Sequence, residues 1–419
     1  MALNLQAHRW HQAVANTGAF LVPAIALCVP SGYSYGAVVL LIGAIFSFQV
    51  WRRNQLSKAA WYLIAVYLAM AFLWALDVSA KWGWGSFDRT SKYLLAIPCV
   101  FFLMTFRPRA DWLWLGVASG AITSGLIALY QLNVLSISRP TGFTNAIQYG
   151  NLSLLMAAMS AAALFILWPT LKAWQRCVFL IAVLLGLMAS VLSQSRGGWL
   201  ALVLLLPLAT WLSMRMLQRR WVVLFFVAIS VALTFAAQTR FVSPHIDKAL
   251  LEIKQFQQRG DGTSSVGQRL AHWRLAIEMG IERPLLGWGR AGYIDEKARR
   301  ADLGLVHAYV KEFGHVHNEV LELFVKRGAF GVILLLAFYI VPLAIFWPTK
   351  KRILKVDGSL DRMSAALCFA GVLIPLCYAV FGLTQVFLAH NSGNMFYLFM
   401  CPLLLATLER HRAGLGKPS

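Results

Sequence analysis

Apolar residues in this chain fall in long, nearly unbroken runs, not in the alternation of half-buried strands or the three-to-four spacing of surface helices. The runs occupy 12–30, 35–51, 58–76, 92–106, 112–135, 148–168, 177–194, 198–214, 221–237, 328–347, 364–387 and 393–408. Most reach the roughly 17 to 25 residues that a helix needs to cross a hydrocarbon core of about 30 Å. The pattern predicts an all-α integral membrane protein with about twelve transmembrane helices. One hydrophilic stretch, 238–327, interrupts it. Inside that stretch the spacing predicts helices over 244–258, 266–281 and 292–303, separated by Arg259-Gly-Asp-Gly and Pro284-Leu-Leu-Gly-Trp-Gly breakers. The chain therefore divides into 1–237 with nine spans, a loop with short helices over 238–327, and 328–419 with three spans and a tail.

Composition agrees: 59% of the 419 residues are hydrophobic and 13% charged, against roughly 25% charged in a globular domain. A soluble enzyme, a secreted disulfide scaffold and a disordered chain are excluded. The net charge of +21 would suggest a nucleic-acid partner if it formed one patch, but it is distributed by topology. Nineteen Lys and Arg fall in alternate connections and the tail, while the short connections of the opposite side hold five: Lys81, Arg89, Lys92, Arg139 and Arg196. Positive residues are retained in the cytoplasm, so both termini are expected there and 238–327 outside. That stretch carries fourteen basic and eleven acidic residues, and no nucleic-acid partner is expected. The six cysteines show no CxxC and read as apolar packing residues. Trp10, Trp51, Trp168, Trp221 and Trp347 at span ends fit interfacial belts. The first span reads as an uncleaved helix.

A loop of this length inside a compact chain is expected to carry function. Its second helix places Leu270, Trp273 and Ile277 on one apolar stripe, with Arg269 at the margin and turned inward more than Arg274. It ends in Gly314-His315-Val316-His317-Asn318-Glu319, the densest titratable group in the chain, just before the tenth span. A neutral imidazole there suits general-base work on a hydroxyl; a metal pair and a helix cap by Asn318 are the competing readings. The turn Ser193-Gln-Ser-Arg196-Gly-Gly-Trp199 joins a guanidinium to a helix start, a combination that binds phosphate oxygens. Arg139, in Ser138-Arg-Pro-Thr-Gly-Phe-Thr-Asn145, is a further candidate for a phosphate or a sugar. Gly287-Trp288-Gly289-Arg290 is a tight turn with a cation and weak support for a nucleotide. No phosphate-binding loop or HExxH motif occurs, so neither an energy-coupled pump nor a zinc protease is supported.

Taken together, Ser195-Arg-Gly-Gly198, the Arg269 helix followed by Pro284-Leu-Leu-Gly-Trp-Gly289, and His315-Val-His317-Asn318 with Leu321 and Gly328 resemble the O-antigen ligase and polymerase superfamily. These are GT-C type glycosyltransferases of the bacterial inner membrane, and the likeness extends to the whole order of spans and late periplasmic loop. The chain's length and short tail resemble the ligase (WaaL-like) branch more than the polymerases or the protein O-oligosaccharyltransferases. The resemblance implies a donor polysaccharide on undecaprenyl diphosphate, a lipid A-core hydroxyl as acceptor, and an active site at the periplasmic face, reached by both from the surrounding membrane lipids.

It also implies roles. His317 best matches the family's essential histidine, with His315 able to share or take the part; on a helix the two would point about 200° apart. Arg196, Arg269 and Arg139 would hold the diphosphate. No cofactor or metal is expected, because the cations already balance the leaving group. From another class, a transporter or flippase for a lipid-linked substrate would place ionisable residues within several spans and show related halves, and neither is seen in the sequence.

Overall fold

The computed structural model describes residues 2–78, 84–195, 197–201, 251–252, 254 and 264–415. The expected spans over 198–214 and 221–237, the helix over 244–258, and Arg196 lie outside the described residues, save for 198–201, 251–252 and 254. Among the described residues there is no strand. The principal helices are α1 Ala2–Ala24, α2 Gly32–Phe46, α3 Lys58–Ala75, α4 Asp88–Phe106, α5 Ala110–Asn133, α6 Ala146–Leu167, α7 Ala173–Leu192, α8 Ser265–Glu282, α9 Gly289–Asp302, α10 Glu319–Phe346, α11 Arg362–Gly382 and α12 Asn391–Leu415. Six of these, α3, α5, α6 (continued to Thr170), α7, α10 and α11, are long and apolar enough to cross a membrane.

Several boundaries differ from the hydropathy pattern, each for a local reason. Chain direction changes after Ala24, where Pro23 closes α1 and a turn leads to Gly32. Ser47 ends α2 with its hydroxyl on the Gly43 carbonyl at 2.6 Å, so the apolar run to 51 continues as a separate short helix. The tenth span starts early, at Glu319, and kinks at Gly328 (φ 61°, ψ −157°).

The chain forms two compact units. The first comprises Met1–Trp199, Leu334–Phe381 and Phe387–Ser419; the second comprises Leu200–Ile333 and Gly382–Val386. In the first, α5 packs against α1, α6 and α7. Small residues allow the approach: a Cβ at Gly120 would lie 2.2 Å from the Pro23 carbonyl, and one at Gly125 would lie 2.5 Å from Leu185 Cβ. In α12, residues 392–408 are all buried, as an apolar helix enclosed by protein must be. Tyrosine hydroxyls tie it in, with Tyr67 donating to Leu398 at 3.0 Å, Tyr378 to Gly393 at 2.6 Å and Tyr397 to Phe338 at 2.7 Å. The cysteines are all free, with four of the six buried and Cys177 exposed.

The second unit is built on Leu275, Ala276, Met279, Tyr293, Tyr309, Val310, Val316 and Val325. This corrects the expected face of α8. Its buried stripe runs through His272, Leu275, Ala276 and Met279, while Ile277 is 43% exposed and Trp273 packs at the edge. The stripe is rotated because the neighbouring helix and loop supply tyrosines opposite Leu275 and Met279, and because His272, a polar residue by type, is wholly inside.

Candidate active site

The histidine loop follows α9 and a 3-10 turn at Ala308–Lys311, and leads into α10. It is irregular, and His317 adopts a left-handed backbone (φ 59°), a conformation that costs a non-glycine residue of order 1–3 kcal/mol and persists only where the surroundings impose it. This turn removes the helical separation expected for the two histidines: the His315 and His317 rings meet edge to face, 4.3 Å between centroids.

Asn318 imposes the turn from one side. Its Oδ1 accepts from Leu321 N at 3.1 Å, capping α10, and its Nδ2 donates to Leu383 O at 3.1 Å. Asn318 is thus a cap, and it also presents the preceding imidazole. His317 Nδ1 lies 3.0 Å from Gln385 Oε1. An amide oxygen only accepts, so Nδ1 carries the proton and the lone pair falls on Nε2.

Burial pushes the His317 imidazole down to about 4, reinforced by the charges of His315 and Arg269 and opposed by the Gln385 hydrogen bond. At neutral pH it is a proton acceptor. His272 on α8 is fully buried, its ring centroid 6.3 Å from that of His317, and burial followed by the Lys297 charge lowers it to about 4 as well. Among the described residues, neither ring nitrogen of His272 has a hydrogen-bond partner, and no group of three or more His, Cys, Asp or Glu is set to hold a metal ion.

Buried charged residues grip the loop backbone from within. Lys297 of α9, 2% exposed, donates to Phe313 O; Lys326 of α10 pairs with Glu322 and donates to Gly314 O at 3.2 Å; Glu322 accepts from Val316 N at 2.8 Å. The Tyr293 ring lies 5.2 Å from both ammonium groups. Burial, then the Lys326 charge, lowers Lys297 to about 8. Three successive stretches of loop backbone are therefore fixed by side chains that would be costly to bury without such partners.

The expected site residues divide between the units. Arg269 shares the buried side of α8 with His272 and Ala276 at spacings of three and seven, and its charge acts on His317. Arg274 is exposed and paired with Glu278 at 2.9 Å. In the first unit, Arg139 Nε donates to Ser193 O at 3.0 Å, which ties it to the turn leading to Arg196. The Gly287-Trp288-Gly289-Arg290 turn is structural. Trp288 N donates to Val325 O at 2.9 Å and its indole to Met279 O at 2.7 Å, with Arg283 stacked 3.9 Å over the ring.

Sequence reasoning passed over His272, Gln385, Lys297 and the Glu322–Lys326 pair. The last had a legible signal in its i, i+4 spacing, and His272 had one in lying three residues from Arg269. Nothing in the sequence links Gln385 to His317.

Residues 181–336 match the family model described as O-Antigen ligase. That stretch includes Arg196, Arg269, His315 and His317, and leaves out Arg139 and Gln385. A protein of Haemophilus influenzae (strain ATCC 51907 / DSM 11121 / KW20 / Rd), described as uncharacterized, is 26% identical over 376 residues, covering 88% of this chain and 92% of the relative. With the apolar helices, these similarities fit a multi-pass membrane enzyme with a ligase- or polymerase-type function in O-antigen or lipopolysaccharide assembly, and the match over 181–336 supports membership of the O-antigen ligase family.

Proposed function

We propose that the chain is an O-antigen ligase of the inner membrane, with about twelve spans in a GT-C-like fold and cytoplasmic termini. It moves a polysaccharide from undecaprenyl diphosphate to a lipid A-core hydroxyl at the periplasmic face. The observation that supports this most directly is the oriented His317, held at Nδ1 by Gln385 so that Nε2 accepts a proton. The acceptor hydroxyl gives its proton to Nε2 as its oxygen bonds the anomeric carbon. The bond from that carbon to the diphosphate oxygen breaks, and undecaprenyl diphosphate leaves with the electron pair, so configuration inverts. Arg269 stabilises the leaving charge, an electrostatic contribution that is commonly the largest in catalysis. Arg196 and Arg139 are assigned to the same diphosphate, and no metal is required.

Purified protein in liposomes, given lipid-linked polysaccharide and three acceptors, tests the reading. Lipid A-core should be modified, His317→Ala should abolish transfer, and excess EDTA should leave activity intact. Chain lengthening would make the protein a polymerase, modification of a periplasmic protein an oligosaccharyltransferase, and rescue by a divalent ion after EDTA would end the metal-free mechanism.

A further inference from the structure

Arg89 and Lys92 stand on the side that positive residues avoid, and the chemistry at His317 gives them no role. Both belong to the first turns of α4, and both brace the connection before α12. Lys92 Nζ donates to Asn391 Oδ1 at 2.6 Å and pairs with Asp88; Arg89 donates to Ala389 O at 3.5 Å, its guanidinium 4.4 Å over the Trp74 ring. The α5–α6 connection joins the same segment, with Thr144 and Ser392 hydroxyls 3.0 Å apart and Asn145 Nδ2 3.3 Å from His390 Nδ1.

These contacts shape an open cavity of about 330 Å³ in the first unit, lined by Tyr33, Phe143, Thr144, His390, Asn391 and Ser392. Its size falls at the lower end of small-molecule sites, which run from roughly 300 Å³ upward. The lining combines two aromatic rings with an amide, an imidazole and two hydroxyls. Sugar rings offer apolar C–H faces to stack on such aromatics and hydroxyls to bond such polar groups. An acyl chain would offer nothing to the donors and acceptors of those groups that their mutual hydrogen bonds leave over. Lys92 and Arg89 stand behind the lining, held to Asn391 and Ala389 of it, and with Asp88 they leave one net positive charge beside the cavity, which favours a saccharide carrying phosphate.

We propose that this cavity seats a phosphorylated saccharide, the head group of the acceptor glycolipid. The assignment to the acceptor rests on the transfer reaction proposed above; the cavity's affinity for an anionic saccharide does not.

The test uses the full chain in nanodiscs, comparing wild type with Tyr33→Ala, Asn391→Ala and Lys92→Gln. Binding of a phosphorylated core oligosaccharide, freed of its lipid, is measured beside transfer titrated separately in acceptor and in donor. Binding should weaken about tenfold in each variant, and acceptor KM should rise in step while donor KM stays within about twofold. Lys92→Gln, which keeps a donor for Asn391, should also lose the preference for the phosphorylated over the dephosphorylated sugar. A rise in donor KM alone would give the cavity to the donor's saccharide and overturn the acceptor assignment. Wild-type binding by all three variants would overturn the site. Binding without transfer to any acceptor by the wild type would sink the ligase reading and leave the saccharide site standing, so the two fail separately.

Discussion

At the scale of residues, the site turns on how the protein sets the basicity of one imidazole. His317, lowered to about 4, is deprotonated at neutral pH but a weak base. An anionic diphosphate beside it would raise its proton affinity as the complex forms. Because kcat/KM reports the free enzyme and kcat the complex, the acid limb of kcat/KM should lie near pH 4 and that of kcat at higher pH. Coincident limbs, measured in the same transfer assay, would show that the donor does not approach His317. Gln385→Leu should move the first limb lower still, since the hydrogen bond it removes supports the protonated ring. Arg269→Ala should weaken donor use by about 1.5–3 kcal/mol, the value of a charged hydrogen bond. Unchanged donor KM and kcat in that variant would release Arg269 from the diphosphate. The imidazole and Arg269 were legible as chemical types in the sequence. Gln385 was not, because a glutamine sixty-eight residues away in sequence becomes a partner only when the chain returns.

At the scale of elements, α8 shows how a correct helix can be read with the wrong face. The limits of α8 match the expected ones closely, yet the apolar count favoured Leu270, Trp273 and Ile277 over the side bearing His272. Burial of that histidine depends on neighbours that the local sequence does not contain. Gly328 is the opposite case. Its left-handed φ sits where Ala329 N donates to Pro284 O at 2.7 Å, and a Cβ there would meet the Leu285 carbonyl carbon at 2.3 Å. Gly328→Ala should therefore destabilise the protein by roughly 1–3 kcal/mol or more, read as a fall in Tm in detergent. An unchanged Tm would mean that the crossing of the 284–289 turn over α10 is not strained by a side chain.

At the scale of the molecule, topology is the property most open to direct test. Reporters active only outside the cytoplasm should work when inserted within 238–327 and fail when fused after Leu415; the reverse pattern would invert the orientation and remove the periplasmic site. The sequence by itself determined the membrane class, the positions of the apolar runs, the sidedness expected from Lys and Arg, and the residue types capable of the chemistry. Those follow from composition and local periodicity, which act without reference to distant parts of the chain. The tertiary structure alone decided that His315 and His317 meet, that Gln385 fixes the tautomer, that Lys297, Glu322 and Lys326 hold the loop backbone, and that the start of α2, the α5–α6 connection and the start of α12 line an open polar cavity near Lys92. These depend on more than local periodicity: Gln385 reaches His317 across sixty-eight residues, and even the neighbouring His315 and His317 meet only because the fold imposes a left-handed turn at His317.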